Sequence, residues 1–227
     1  MKIAINHIRT AATALLLVSG AASLATAAPA AKSAFEKDVL AVANDWARVK
    51  YLSKSDSERK QNMESVGAEA DKLAQKYPDR PEALIWDGIV TSERASLAWG
   101  VTALNLASRA RDVLLKAESM DPRAADAGAP TSLGVLYYRV PSFPFGWGDK
   151  EKARAYLEQA VKYAPAGRDA HYFYADFLYE QGEYKKAEQV LIKGLSTPSH
   201  PERPIWDKYF PKVMQGLLAK VQQKQRS

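Results

Sequence analysis

Four stretches of the chain share one spacing: a small residue, another seven later, and a proline five beyond that. Ala110, Ala117 and Pro122 carry it, as do Ala153, Ala160 and Pro165. Ala187, Gly194 and Pro198 shorten the last step by one, and Val66, Leu73 and Pro78 keep the spacing with larger side chains. An apolar residue stands four after the first in each: Ala70, Leu114, Leu157 and Leu191. Offsets of 0, 4 and 7 lie on one face of a helix. Small side chains there let a neighbouring helix approach closely. The proline ends the helix, because it lacks an amide hydrogen and disfavours helix in the residue before it. Self-similarity of this kind restricts the chain to stacked helical units, none of which buries its apolar face alone.

The last three of these helices each have an earlier partner. Leu133-Gly134 with Tyr137 opens one, Tyr174-Ala175 with Leu178 another, and Asp87-Gly88 a weaker third. Gly88, Gly134 and Ala175 fall where the two helices of a hairpin cross. The pattern resembles the tetratricopeptide-repeat consensus over residues 83–198, and best from Asp169 to Pro198, with Gly182-Glu183-Tyr184 at the turn. The resemblance implies an all-α fold, a right-handed array of antiparallel helix hairpins (a TPR-like α-solenoid). Ala175 to Ala187 is 12 residues, whereas Gly134 to Ala153 is 19 and Gly88 to Ala110 is 22. The excess lies between the first and second helix of each repeat. It reads either as loops emerging on one side, often the binding side, or as lengthened helices.

The ends are less regular. Phe35, Val39, Val42, Trp46 and Val49 predict a helix from Ala34 to Leu52, Ser53 to Ser57 a polar turn, and 58–76 the next helix. Pro198, Pro201 and Pro204 mark a stiff connector, with a capping helix from about Pro211 to Gln222. The division is therefore 28–82 for an N-terminal hairpin, 83–198 for three repeats and 199–227 for connector and cap. Residues 1–27 read as a cleavable signal peptide: Lys2 and Arg9, an apolar run from Ala11 to Leu24, then Ala25-Thr26-Ala27. Its loss takes the formal charge from +6 to +4. The chain has no cysteine, so an exported protein of this kind holds together by packing and carries no lipidated cysteine. The periplasm is the expected location, secretion beyond the cell the other. No later stretch approaches the roughly 20 apolar residues of a membrane span, and without a run of like charges no nucleic-acid partner is expected.

Chemistry-bearing residues are sparse. His171 and His200 are the only histidines after residue 27, and they suggest neither a metal cluster nor a nucleophile arrangement. No enzyme and no cofactor is expected. Asp169 reads as a helix N-cap. The informative segment is Val140 to Asp149, an aromatic, proline- and glycine-rich inter-helix loop. Phe143, Phe145 and Trp147 are costly to leave in water, so the loop is expected to fold back onto the array. There it either seals a hydrophobic groove or lines a ligand pocket or partner surface. Asp149 caps the helix from Lys150. In Tyr172-Phe173-Tyr174-Ala175-Asp176-Phe177, Tyr174 and Phe177 read as core, while Tyr172 and Asp176, four apart, share the concave face with Tyr138. That pairing suits an organic ligand with a polar end, although ordinary inter-repeat packing explains the row better.

From Leu133 onward the chain resembles the T-component (TatT-like) family of TRAP transporters. The resemblance rests on Val140-Pro141, Pro144-x-Gly146-x-Gly148-Asp149, Lys152-Ala153, Pro165-x-Gly167-x-Asp169, the Tyr172–Leu178 row leading to Gln181-Gly182, Arg203-Pro204, Asp207 and Leu217 to Lys220. It implies a periplasmic binding or docking protein, with homo-oligomers among its forms, working beside a substrate-binding protein and taking a small organic or apolar ligand. The ligand- or partner-binding residues would be Tyr138, Phe143, Phe145, Trp147, Asp149, Tyr172 and Asp176. The alternative is a general protein-interaction scaffold of the cell envelope with no ligand of its own.

Overall fold

The computed structural model describes residues 31–226, and the signal peptide expected over residues 1–27 lies outside them. Lys32–Ser227 is one compact unit. Its described residues form helices α1 (Ala34–Leu52), α2 (Asp56–Lys76), α3 (Pro81–Ser96), α4 (Gly100–Met120), α5 (Ala124–Arg139), α6 (Lys150–Tyr163), α7 (Arg168–Glu180), α8 (Tyr184–Leu195) and α9 (Pro204–Arg226), with no strand among them. Each helix packs on the next. Short connections between packed neighbours make them antiparallel, so odd-numbered helices run one way and even-numbered helices the other. The odd helices α1, α3, α5 and α7 also touch one another in sequence, whereas no even helix packs on another. The array therefore curves, with odd helices on the inner layer and even helices outside.

The small-residue faces are the seams. Ala110, Leu114 and Ala117 of α4, Ala153, Leu157 and Ala160 of α6, and Ala187, Leu191 and Gly194 of α8 are all buried. A Cβ at Gly134 would stand 2.5 Å from Leu157 Cγ, and one at Gly88 would collide with Leu114. Both glycines are thus required by the depth to which a leucine of the second helix sinks into the first. The helices end before Pro78, Pro122, Pro165 and Pro198, as the missing amide hydrogens dictate.

The structure decides one open alternative and corrects two expectations. The extra length between Gly88 and Ala110 is helix rather than loop: α3 and α4 are joined by residues 97–99 alone. Nothing in Ser96–Asn105 breaks a helix except Gly100, which takes the left-handed conformation at the turn (φ +58°). Only the second insertion is a loop. The final helix begins at Pro204, not near Pro211. Proline suits its first turn, and Trp206, Phe210, Met214, Leu217 and Val221 are buried at helical spacing. Burying such side chains at about 1.5–3 kcal/mol each outweighs a cost of about 3 kcal/mol for Pro211 inside the helix. Asp169 is not a cap: α7 starts one residue earlier, after Gly167. Arg168 is drawn inward to donate to Thr197 O, Pro198 O and Asp207 Oδ1 at 3.0, 2.9 and 2.8 Å. These bonds staple α7 to the proline-rich connector.

The first half of α9 fills the inner side of the array. Trp206 stacks on Phe210 (5.0 Å), Phe210 meets Tyr172 of α7 (5.1 Å), and Tyr209 stacks on Tyr51 of α1 (5.8 Å). Arg203 lies 4.2 Å from the Trp206 ring and 5.3 Å from that of Trp86. Asn44 of α1 donates to Glu202 O at 3.1 Å. The last helix therefore packs on α7, α8 and the first helix.

Gly134→Ala is expected to destabilise the protein by about 1–3 kcal/mol through overpacking against Leu157. Gly216→Ala, on an exposed stretch of α9 with open space around it, should instead stabilise by about 0.5–1 kcal/mol. Urea unfolding of the two variants checks the opposite signs.

Candidate functional site

The C-terminal ends of α5 and α7 lie side by side and present a polar and aromatic strip. The Tyr138 hydroxyl donates to Asp176 Oδ2 at 2.7 Å. Arg139 bonds the same carboxylate with one arm and Glu180 Oε1, at 2.5 Å, with the other. Arg139 also lies over the Tyr138 ring at 4.7 Å. The arginine is half exposed while Asp176 is buried, so a guanidinium is held at the surface by anchors beneath it. Burial, reinforced by the Asp176 charge, pushes the Tyr138 phenol well above its ordinary range. Burial and Asp176 likewise push Tyr172 up to about 12. Both phenols stay protonated at neutral pH; Tyr138 acts as a hydrogen-bond donor, and Tyr172 offers its ring to Phe173 and Phe210. Tyr174 and Phe177 are core.

Trp147 stands apart from this strip. Its indole Nε1 donates to Ser108 Oγ of α4 at 3.0 Å, its ring meets Tyr137 edge-on at 5.4 Å, and the Arg111 guanidinium lies 4.5 Å from it. The groove expected from sequence, shared by Tyr138, Trp147 and Tyr172, is thus divided: Trp147 packs towards α4, while Tyr172 is covered by Phe210 of α9. Beside Ser108 an open groove of about 620 Å³ runs along α4, lined by Leu84, Asn105, Arg109, Val113 and Lys116 among others.

The loop that carries Trp147 folds back only in part. Asp149 N donates to Tyr137 O (2.8 Å) and Gly148 N to Pro141 O (2.9 Å). A Cβ on Gly146 or Gly148 would collide with the carbonyls of Pro141 or Val140. The loop's two limbs are therefore pressed together, and Trp147 is drawn in. Phe143 and Phe145, expected to fold back with it, remain 90% and 79% exposed. The limbs close on each other between Pro141 and Gly148, and the two rings stand beyond that closure. Asp149 caps α6, accepting from the amides of Glu151 and Lys152 at 3.0 Å each.

One buried polar set escaped the sequence reading. Asp87 of α3 is buried and accepts from Arg109 of α4 through both oxygens at 3.1 Å, and Arg109 also reaches Asp71 and Thr91. Burial raises the Asp87 carboxyl, with Arg109 opposing that rise. The signal was Asp87 itself, an acid where the repeat pattern asks for a large apolar residue. The set joins α2, α3 and α4. Among the described residues no group of three or more His, Cys, Asp or Glu side chains is placed to hold a metal ion. Nor is any described helix long and apolar enough to cross a membrane.

Comparison with known proteins locates the repeat. Residues 148–198, spanning α6, α7, α8 and the turn after it, match the tetratricopeptide repeat family. That segment is thus similar to a tetratricopeptide repeat. Around it the hairpins continue in the same manner, and the described residues form an all-helical, tetratricopeptide-like array. A solved structure described as MamA RS-1 ArsTM double mutant is similar over 83% of this chain and 95% of that one, at 17% identity and a TM-score of 0.42. No curated protein matches the chain.

His171 is buried, and its Nδ1 lies 2.8 Å from Gly167 O, where a donated hydrogen requires that tautomer. Burial holds its pKa below the ordinary 6.5, so the unfolded chain binds the proton first. Stability should therefore fall as pH drops below about 6.5, at up to about 1.4 kcal/mol per pH unit for this one group. Urea midpoints at falling pH should show a shallower slope for His171→Asn than for the wild type.

Proposed function

We propose that this chain is an exported periplasmic docking protein that holds a protein partner against the exposed ends of α5 and α7. The observation that carries the reading is Arg139, fixed at the surface by Asp176 and Glu180 with Tyr138 beneath it. A guanidinium already held in place loses little conformational entropy on binding. Arginine and tyrosine are also the side chains on which interface energy concentrates. Export follows from the sequence of residues 1–27. The partner class is a periplasmic substrate-binding protein, as the resemblance to TRAP transporter T-components implies. The role read here is binding: the Tyr138 phenol is held protonated and Asp176 Oδ2 accepts from both Tyr138 and Arg139, an arrangement that fixes side chains in place.

Arg139→Glu should weaken binding to a periplasmic substrate-binding protein by about 10-fold or more, with the helical circular dichroism unchanged. Equal affinity of variant and wild type by calorimetry would remove the strip from the interface.

A small organic ligand has one specific support, the groove along α4 whose lining includes Ser108, the residue that holds the Trp147 indole. A ligand there would change the indole environment. Titration with organic acids and lipids should then change tryptophan emission in the wild type, and Trp147→Phe should abolish the change. An unresponsive wild type leaves the protein-docking reading alone.

A further inference from the structure

Exposed large apolar side chains are concentrated on one edge. Antiparallel hairpins place the turns α1–α2, α3–α4, α5–α6 and α7–α8 together on it. Leu52, Trp99, Val101, Phe143 and Phe145 all lie at these turns, and Trp99 is 88% exposed. Two charge-free stretches carry four of them: residues 95–108 and 140–148 contain no Asp, Glu, Lys, Arg or His.

Both stretches project. Trp99 precedes the first residue of α4, and Ser108, where Trp147 is seated, lies eight residues further on. At 1.5 Å per residue the α3–α4 tip overhangs that contact by about 12 Å. The α5–α6 loop projects from the bond between Tyr137 O and Asp149 N, with Phe143 and Phe145 near its tip. Its limbs are locked by Gly146 and Gly148, so the phenylalanines are presented by a fixed support. Basic residues stand behind the tips. Lys150 and Lys152 open α6 beside Asp149 and Glu151, with Lys152 3.8 Å from Asp149 Oδ2, and Lys224 and Arg226 close α9. Gln222 and Gln225 bond Glu188 near the start of α8, which brings the basic end of α9 to the same edge.

We propose that this edge docks on an anionic bilayer surface, with Trp99, Phe143 and Phe145 entering the interfacial layer. Projecting, uncharged aromatic tips suit a deformable interface better than a rigid protein surface, which would need a matching cavity for each. Tryptophan and phenylalanine favour the headgroup level, and nearby lysines and arginines gain from anionic lipid. Binding of this kind is peripheral and requires no spanning helix. It uses different residues from the Arg139 strip, so the two can succeed or fail separately.

The test is flotation of the compact unit Lys32–Ser227, whose cores and helices lie within it, so that the apolar run of residues 11–24 contributes nothing. Two vesicle preparations are used: phosphatidylcholine alone, and equal parts phosphatidylcholine and phosphatidylglycerol. The wild type should float with the mixed vesicles and bind phosphatidylcholine less. The double variant Phe143→Ser and Phe145→Ser, and separately Trp99→Ser, should lower the partition coefficient by about tenfold or more. All three side chains are exposed, so circular dichroism and melting should not change. No flotation of the wild type overturns the proposal, as does a serine variant that floats equally well. Loss of a wild-type homo-oligomer in the serine variants, with vesicle binding unaltered, would assign the tips to a second copy of the chain and also overturn it.

Discussion

The closeness of the helices rests on leucines that reach the backbone of a neighbouring helix. Leu157 enters the space left open at Gly134, and Leu114 that at Gly88. Because the hairpin helices lie so close at these points, the faces beside them must be alanine, and Ala110, Ala117, Ala153 and Ala160 are fully buried there. The tight pairing fixes each hairpin as a unit. What remains apolar on the odd helices then joins them into the inner layer. The polar strip follows from that arrangement: α5 and α7 are adjacent because odd helices pack on odd helices, and their matching ends bring Tyr138 and Arg139 to Asp176.

The features repeated in sequence were the legible ones. The seams, their proline stops and the crossing glycines are periodic signals, and α1 lies where its apolar spacing predicts. Contacts between one-off side chains were not legible. Arg168 sits beside the residue that reads as a cap, yet its partners are the carbonyls of Thr197 and Pro198 and the carboxylate of Asp207, about thirty to forty residues away. No local pattern announces such a bond. Asp87 was visible as a departure from the repeat, while its partner Arg109 sits on α4 among ordinary surface charges.

Within the site, local rules and long-range packing divide the outcome. Asp149 caps α6 because capping depends on three or four neighbouring residues. Tyr138 and Asp176 meet because α5 packs on α7, which brings the C-terminal ends of the two helices together. The aromatic loop is different. The general cost of wetting three rings predicts a return to the array, but the loop is too tightly closed at Gly146 and Gly148 to bring back more than one. Trp147, next to the anchored limb, is seated on α4, and the two phenylalanines beyond it are not.

The packing of α9 on α1 changes the mechanics of the whole chain. In an open row of repeats each unit leans only on its neighbours, and melting starts from whichever end is weakest. Here the terminal helix holds Tyr51 through Tyr209, and the connector before it holds Asn44. Neither end can peel away without parting from the other. A linear stack is thereby turned into a loop under mutual restraint, in which loosening at the first helix is felt at the last.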